Sequence, residues 1–307
     1  MVDVSVIIAC YNVERYIKRA IDSGLSQQGV SVEVIVVDDC STDGTWGIVS
    51  GIIDSRLMSV RLPGNCGPGA ARNAGIARAS GEWIAILDGD DEFASGRLAQ
   101  CIGRATGQRV DVVVDNLLVC CEADASEFLM FPSEALAKIA QLDAATFIRG
   151  TVSNNNNYTL GYLKPVFSRR FLERHKLTYD TELRIGEDYR LMMEVLLSGA
   201  HCAVEPSAGY RYTARATSIS YRISPADIRR MIKADEQLMA RYKLDSAAAI
   251  AQAGRTKWLK REYGYTLLVD AIKKKDGINM LKAIALHPSC IWLLWRPLQV
   301  RIQRLVA

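Results

Sequence analysis

Between Val4 and Val114 the chain alternates short apolar, β-branched runs with segments of helical period, and this rhythm restricts its fold more than any other feature. The runs are Val4–Ala9, Val32–Val37, Met58–Leu62, Trp83–Leu87 and Val110–Val114. Between the first two, Tyr16, Ile17, Ala20, Ile21 and Leu25 recur at helical spacing within Val13 to Gln28. Ser41 or Thr42 caps a predicted helix through Ile53, Gly67-Pro68-Gly69 opens an Ala-rich helix to Ala79, and Ala94–Thr106 reads as a further helix. Strands alternating with helices at this spacing predict an α/β fold with a doubly wound, mostly parallel sheet flanked by helices.

Beyond Asn116 the alternation weakens. Asn154-Asn155-Asn156-Asn157 reads as a polar loop, Lys164–Ser168 as a strand and Ser168–His175 as a short helix. Glu187-Asp188 opens a strongly apolar helix through Leu197, stopped by Gly199. From about residue 225 the chain reads as helical and basic, and no internal repeat is evident. The expected division is an α/β domain over 1–220 and a helical, basic region over 221–307. At 307 residues and 49% hydrophobic, the chain has material for that division.

Charge is split along the same line. Residues 1–210 hold 19 Lys+Arg against 27 Asp+Glu, a net −8, whereas residues 211–307 hold 19 against 7, a net +12. A basic rear faces an anionic partner, for which a membrane surface and nucleic acid are the two candidates. No recognised nucleic-acid module accompanies the charge, so nucleic acid is set aside. The eight cysteines form no CxxC pair, Cys120-Cys121 is adjacent, and His175, His201 and His287 match no zinc spacing. Reduced thiols in a cytoplasmic protein are the expectation, and no secretory signal is visible at the N-terminus.

Chemistry concentrates at the strand ends. Asp88-Gly89-Asp90-Asp91 follows the apolar run Trp83–Leu87, and the C-terminal ends of strands are where open α/β sheets bind ligands. Clustered hard oxygen ligands there suit Mg²⁺ or Mn²⁺ and, with the metal, substrate phosphates; a solvated turn is the simpler alternative. Asp38-Asp39 ends the second run, where a carboxylate can accept hydrogen bonds from a base or ribose, or serve a helix cap and Asx turn. Gly67-Pro68-Gly69-Ala70-Ala71-Arg72 is not a dinucleotide fingerprint, since Arg72 replaces the third glycine and the motif follows the third strand. Arg72 could instead pair with a diphosphate. Glu187-Asp188 at a helix start either serves the helix dipole or supplies a general base for an incoming hydroxyl.

Residues 3 to about 215 resemble a family 2 glycosyltransferase with the GT-A fold. The resemblance is carried by Val6-Ile7-Ile8-Ala9-Cys10-Tyr11-Asn12, Val36–Gly44, Asn65 with Gly67–Gly75, Leu87–Asp91 and Gly186-Glu187-Asp188, in the family's order. It implies that Ala9, Tyr11, Asn12, Asp38 and Asp39 line the nucleotide pocket and that Arg72 contacts base or diphosphate. Asp88 and Asp90 would be the DxD pair for ribose and a divalent metal, Mn²⁺ or Mg²⁺, with Asp91 beside them. Asp188 would be the catalytic base, supported by Glu187, and Arg215 would approach the diphosphate. Ala9-Cys10 departs from the Pro or Thr common in the first motif. The resemblance further implies an inverting displacement and a nucleotide-sugar donor, a UDP-sugar. The acceptor would be a lipid-linked saccharide, in bacterial surface or exopolysaccharide synthesis. The segments Tyr158–Leu163 and after Asp91 are candidate acceptor contacts.

Two other functions remain open on sequence. A sugar-phosphate nucleotidyltransferase would want a Gly-rich basic loop after the first strand, where Cys10-Tyr11-Asn12-Val13-Glu14 stands instead. A silent scaffold would have no need of Asp90 and Asp188. At the C-terminus, Ala283–Trp295 is uncharged for 13 residues and is broken by Pro288, whereas a spanning helix needs roughly 20. Trp292 and Trp295 with Arg296, Arg301 and Arg304, and Lys273-Lys274-Lys275 upstream, fit an interfacial helix on the inner face of a membrane. A core-packing helix with a solvated basic face, or an oligomer contact, fits the same composition.

Overall fold

The computed structural model describes residues 2–139, 141–152, 159–215 and 223–295. Asn154–Asn157, Tyr158, Arg296, Arg301 and Arg304 lie outside the described residues. The chain divides into two compact units, Met1–Ser218 and Ile219–Ala307.

In the first unit the strands are β1 (Val4–Cys10), β2 (Val32–Asp38), β3 (Leu57–Arg61), β4 (Trp83–Asp88), β5 (Glu92–Phe93), β6 (Val112–Cys121), β7 (Glu127–Leu129), β8 (Lys164–Ser168) and β9 (Cys202–Ala214). The helices are α1 (Ile17–Leu25), α2 (Thr45–Gly51), α3 (Pro68–Ile76), α4 (Arg97–Gln108), α5 (Ser133–Ala137), α6 (Ala144–Thr151), α7 (Arg169–His175) and α8 (Glu187–Leu197). The strands form one sheet in the order β3-β2-β1-β4-β8-β6-β9-β5, with β7 on β6.

The block β3-β2-β1-β4 is parallel throughout. Its central strands are buried because helices cover both faces, which is why they read as unbroken apolar runs. Register aligns Cys10 with Asp38, and Ala9 with Asp88, so the ends of β1, β2 and β4 share one rim. β8 then enters antiparallel to both β4 and β6. The far half of the sheet is therefore mixed, in the stretch where the βα rhythm lapses.

Three local expectations change. β6 runs to Cys121 rather than stopping at Val114, because its polar residues are satisfied inside. Asp115 is paired with Arg97, and the Asn116 side-chain amide donates to the carbonyls of Phe131 and Pro206. β9, thirteen residues long, was not anticipated. Neither Ser41 nor Thr42 caps α2: the Ser41 hydroxyl accepts from the Asn12 N–H, the Thr42 N–H donates to Asn12 Oδ1, and the helix begins after Gly44.

α3 lies against β1 and β2 at close range. A Cβ on Gly75 would stand 2.5 Å from Ile7 Cγ2 and 3.3 Å from Val37 Cγ2. Both partners are fully buried, so neither can move aside cheaply.

The second unit comprises α9 (Pro225–Arg241), α10 (Ser246–Lys273), α11 (Gly277–Leu286) and a short 3₁₀ stretch, Pro288–Trp295. Ser224 and Asp227 form a reciprocal cap at the start of α9. Buried Asp235 joins α9 to α10 by accepting from Gln252 Nε2 and Arg255 Nε, at 3.0 and 2.9 Å. Leu268, Ala283 and Cys290 form the small core between α10, α11 and the 3₁₀ stretch. Among the described residues no helix is long and apolar enough to cross a membrane.

Gly75→Val is expected to lower unfolding stability by about 1–3 kcal/mol through overpacking. Denaturant titration of the purified variant checks this; an unchanged midpoint would mean that α3 can lift off β1 without loss.

Candidate active site

The rim at the ends of β1, β2 and β4 gathers the residues that the sequence singles out. Asp38 is fully buried. Its carboxylate accepts from the Ser41 N–H at 3.1 Å and pairs with Arg61 Nε at 3.2 Å. Asp39 accepts from the backbone N–H groups of Cys66 and Gly67 at 2.7 and 2.8 Å, pinning the loop that leads into α3. Burial raises its carboxyl above the ordinary value, against the lowering effect of those two N–H groups. Asn12 adopts φ 52°, and Tyr11 beside it is 43% exposed on the rim. The Ala9 carbonyl accepts from the Gly89 N–H at 3.1 Å, which ties the end of β1 to the acidic turn after β4.

At the centre lies Arg72, whose side chain is 5% exposed. One guanidinium nitrogen donates to Asp88 Oδ1 at 2.7 Å; the other reaches Glu187 Oε1 at 2.7 Å and Asp188 Oδ1 at 3.0 Å. The group also stands 5.2 Å from the Tyr179 ring centroid. Asn73, the next residue on α3, bridges both backbone groups of Tyr179 at 2.8 Å. The sequence reading assigned Arg72 to a base or diphosphate; here its guanidinium is taken up by three carboxylates.

Asp88 has a second cation. Lys164 Nζ, at the start of β8, lies 2.6 Å from Asp88 Oδ2. Burial alone would raise the Asp88 carboxyl, but Lys164 and Arg72 outweigh it and hold it well below the ordinary carboxylate range. Sequence reasoning missed Lys164. The available signal was a lone lysine heading an otherwise apolar strand.

The other two aspartates differ from each other. Asp90 pairs with Arg215, whose guanidinium lies 5.1 Å from the Tyr16 ring centroid. Burial raises the Asp90 carboxyl, Arg215 lowers it and neighbouring Asp88 adds to the rise. Asp91 is 1% exposed and has both oxygens engaged, one by the Tyr210 hydroxyl at 2.8 Å and one by the Thr213 N–H at 2.7 Å. The sequence reading set Asp91 beside the metal pair; its contacts make it a brace for the turn instead. The Tyr210 hydroxyl also accepts from the Asp88 N–H at 3.1 Å, so one buried tyrosine fixes both ends of the acidic turn.

Glu187 and Asp188 sit in the first turn of α8. Glu187 is buried, and burial together with Asp188 pushes its carboxyl up to about 7 against the pull of Arg72. Asp188 is the more open of the two, its side chain 34% exposed. Only its Oδ1 is engaged among the described residues, which leaves Oδ2 able to accept a proton or a hydrogen bond.

Among the described residues, no three His, Cys, Asp or Glu side chains stand close enough to enclose a metal by themselves. Asp88 and Asp90 are nonetheless hard carboxylate donors, 25% and 20% exposed at the strand tip. A Mg²⁺-like ion needs only one or two carboxylates when substrate phosphates and water complete its shell; Asp90, paired with Arg215 through Oδ2 alone, fits as that donor, whereas both Asp88 oxygens are taken by Arg72 and Lys164. Of the segments expected to contact the acceptor, Leu160–Tyr162 forms a 3₁₀ turn, and the Tyr162 ring meets Tyr212 edge-on at 5.7 Å.

The raised Glu187 carboxyl carries a sign. An unfolded Glu titrates near 4.5 and the folded one near 7, so the stability it contributes is complete below pH 4.5 and is lost as pH rises through 7. Asp88, shifted down, contributes above the ordinary carboxylate range and loses its share only in stronger acid. Glu187→Gln is expected to flatten the loss of stability between pH 4.5 and 7. Denaturant unfolding across that window is the check; an unchanged slope would place the titrating group elsewhere.

The family model "Glycosyl transferase family 2" matches residues 5–171. The succinoglycan biosynthesis protein ExoO of Rhizobium meliloti (strain 1021) is 43% identical over 305 residues, covering 99% of this chain and 87% of the relative. Among solved structures, S. aureus TarS 1-349 in complex with UDP-GlcNAc superposes with a TM-score of 0.65 at 22% identity, covering 92% of this chain and 79% of that one. The mannosyltransferase PcManGT of Pyrobaculum calidifontis in complex with GDP-Man and Mn²⁺ gives 0.62 at 18% identity, over 98% and 84%. The sheet and its flanking helices thus have the GT-A glycosyltransferase fold. With a family match over more than half its length and a relative that spans nearly all of it, the chain belongs to glycosyl transferase family 2 and is a glycosyltransferase.

Proposed function

We propose that this enzyme moves a sugar from a nucleotide-sugar donor, a UDP-sugar, to a hydroxyl of a lipid-linked saccharide acceptor. The transfer inverts the anomeric carbon and serves exopolysaccharide synthesis at the cytoplasmic face of the membrane. The observation that carries this reading is Asp188. It is the most open carboxylate of the Arg72 cluster, its side chain 34% exposed, and its Oδ2 is unengaged among the described residues, on the rim that also holds Asp88 and Asp90. The name of the succinoglycan relative supports the exopolysaccharide setting, and the UDP-GlcNAc in TarS supports the nucleotide.

In the reaction, the acceptor oxygen attacks C1 of the donor sugar as its proton passes to Asp188 Oδ2. The bond from C1 to the diphosphate oxygen breaks, and its electron pair leaves with the nucleoside diphosphate. Arg72 holds Asp188 at a fixed angle through Oδ1. Buried Glu187 on the same nitrogen keeps that guanidinium from turning toward solvent. Mn²⁺ or Mg²⁺, held by Asp90 with Asp88 alongside, would neutralise charge on the departing diphosphate. Arg215 lies beside Asp90, where it can meet the same diphosphate. Ala9, Tyr11, Asn12, Asp38 and Asp39 form the wall for base and ribose, with Asp38 and Asp39 chiefly shaping its loops.

Asp188→Asn is expected to lower kcat about 10²–10⁴-fold, the range for loss of a general base, with donor affinity kept. Transfer at the wild-type rate would rule Asp188 out as the base. Titration calorimetry with UDP-, GDP- and dTDP-sugars, each with Mn²⁺ and with EDTA, tests donor and metal. Tight binding of one UDP-sugar that EDTA abolishes is expected, whereas binding indifferent to EDTA would remove the metal from this scheme.

A further inference from the structure

The second unit carries a cavity of its own. It measures about 460 Å³ and lies between one face of α10 and the turn after α11. Thr256, Lys257, Lys260 and Arg261 line it from the helix, and His287 and Ser289 from the turn. The helix residues recur at i, i+1, i+4 and i+5, which puts them on a single stripe. Gly264 continues that stripe, and a Cβ there would stand 2.3 Å from His287 Cβ. This missing side chain lets the turn seat directly on α10 and close one end of the cavity.

The charged side chains of the wall are all cationic. No carboxylate lines it, and none of Lys257, Lys260 and Arg261 forms an ion pair among the described residues. The Arg261 Nε–H is buried and has no acceptor there. Three cations lining one recess, with no ion-pair partner among the described residues, suit a phosphate group.

Beside the recess the exposed face of α11 carries large apolar side chains around Asn279 and Lys282. Ile278, Leu281 and Leu286 are 70%, 69% and 73% exposed, and Trp292 in the following 3₁₀ stretch is 84% exposed. Leu286 belongs both to this face and to the cavity wall. Apolar side chains flanking a cationic recess match a lipid, whose phosphate lies just above its acyl chains. A second copy of this chain is disfavoured on charge, since residues 211–307 carry a net +12 and the contact would bring two such regions together.

We propose that the recess between α10 and the 286–289 turn binds the phosphate of an anionic phospholipid while Ile278, Leu281, Leu286 and Trp292 enter the bilayer interface. The site deepens the membrane setting proposed above without resting on the transfer chemistry, and its test needs no activity. The full chain is sedimented with phosphatidylcholine vesicles and with vesicles containing about a third phosphatidylglycerol, whose negative surface attracts basic residues. Strong binding is expected only to the second, weakening as salt is raised. Lys257→Gln/Lys260→Gln replaces two exposed, unpaired lysines, so the fold is retained. The pair is expected to cut vesicle affinity about 25-fold, at about fivefold per lysine near an anionic surface. Leu281→Gln/Trp292→Gln is expected to weaken binding even at low salt.

Equal binding to both vesicle types, or none to either, would overturn the proposal, as would an unaltered affinity in the lysine variant. Calorimetry with inorganic phosphate and glycerol 1-phosphate separates the sources. Saturable binding of these without vesicle binding would assign the recess to a soluble anion. Sedimentation velocity that reveals a dimer dispersed by Leu281→Gln/Trp292→Gln would assign the apolar face to a second copy.

Discussion

The first unit is organised around a buried guanidinium. Arg72 is taken out of water on α3 and compensated by Asp88 from β4 and by Glu187 and Asp188 from α8. Burying charge this deeply is stable only when each group finds a partner with good geometry. The requirement works in both directions. The carboxylates fix where Arg72 points, and Arg72 fixes the distance between the sheet and α8. The catalytic candidates are thus part of the packing, and their spacing is held by ionic hydrogen bonds from rigid elements rather than by a loop.

A second set of buried contacts supports the first from below. Arg97 and Asp115 form a bidentate pair at 2.7 Å with neither side chain exposed beyond 1%. Arg97 also donates to the Lys164 carbonyl at 3.1 Å and lies over the Phe93 ring at 4.3 Å. Lys164 is therefore held through its backbone by one ion pair while its ammonium neutralises Asp88. Tyr210, between Arg97 and the acidic turn, links the two layers. The antiparallel entry of β8 matters here, because only that direction brings its first residue to the end of β4 where Asp88 lies.

The second unit follows a different rule. Its helices join through one buried polar cluster at Asp235 and a small apolar core at Leu268, Ala283 and Cys290. α11 contributes few of its large apolar residues to that core and leaves the rest outward. Burial of a Leu side chain is worth about 1.5–3 kcal/mol, so several of them exposed on one face is a substantial unspent driving force for association.

The local chemistry of this protein was legible in the sequence. The parallel block β1 to β4, the acidic turn at Asp88–Asp91, Arg72 near the start of its helix and Glu187-Asp188 at the start of α8 all follow from periodicity and residue type, because each is set by near neighbours. The tertiary structure decided which charges meet. Sequence distance says nothing about Arg72 facing Glu187 across 115 residues, or Lys164 facing Asp88 across 76. β9 and the far half of β6 were hidden because their polar residues are neutralised by partners remote in the chain. Pattern reading takes a polar residue as exposed until its partner is known. For the same reason Asp91 reads as a ligand in the sequence and acts as a brace in the fold: two hydrogen bonds from β9 engage the oxygens that a metal would need.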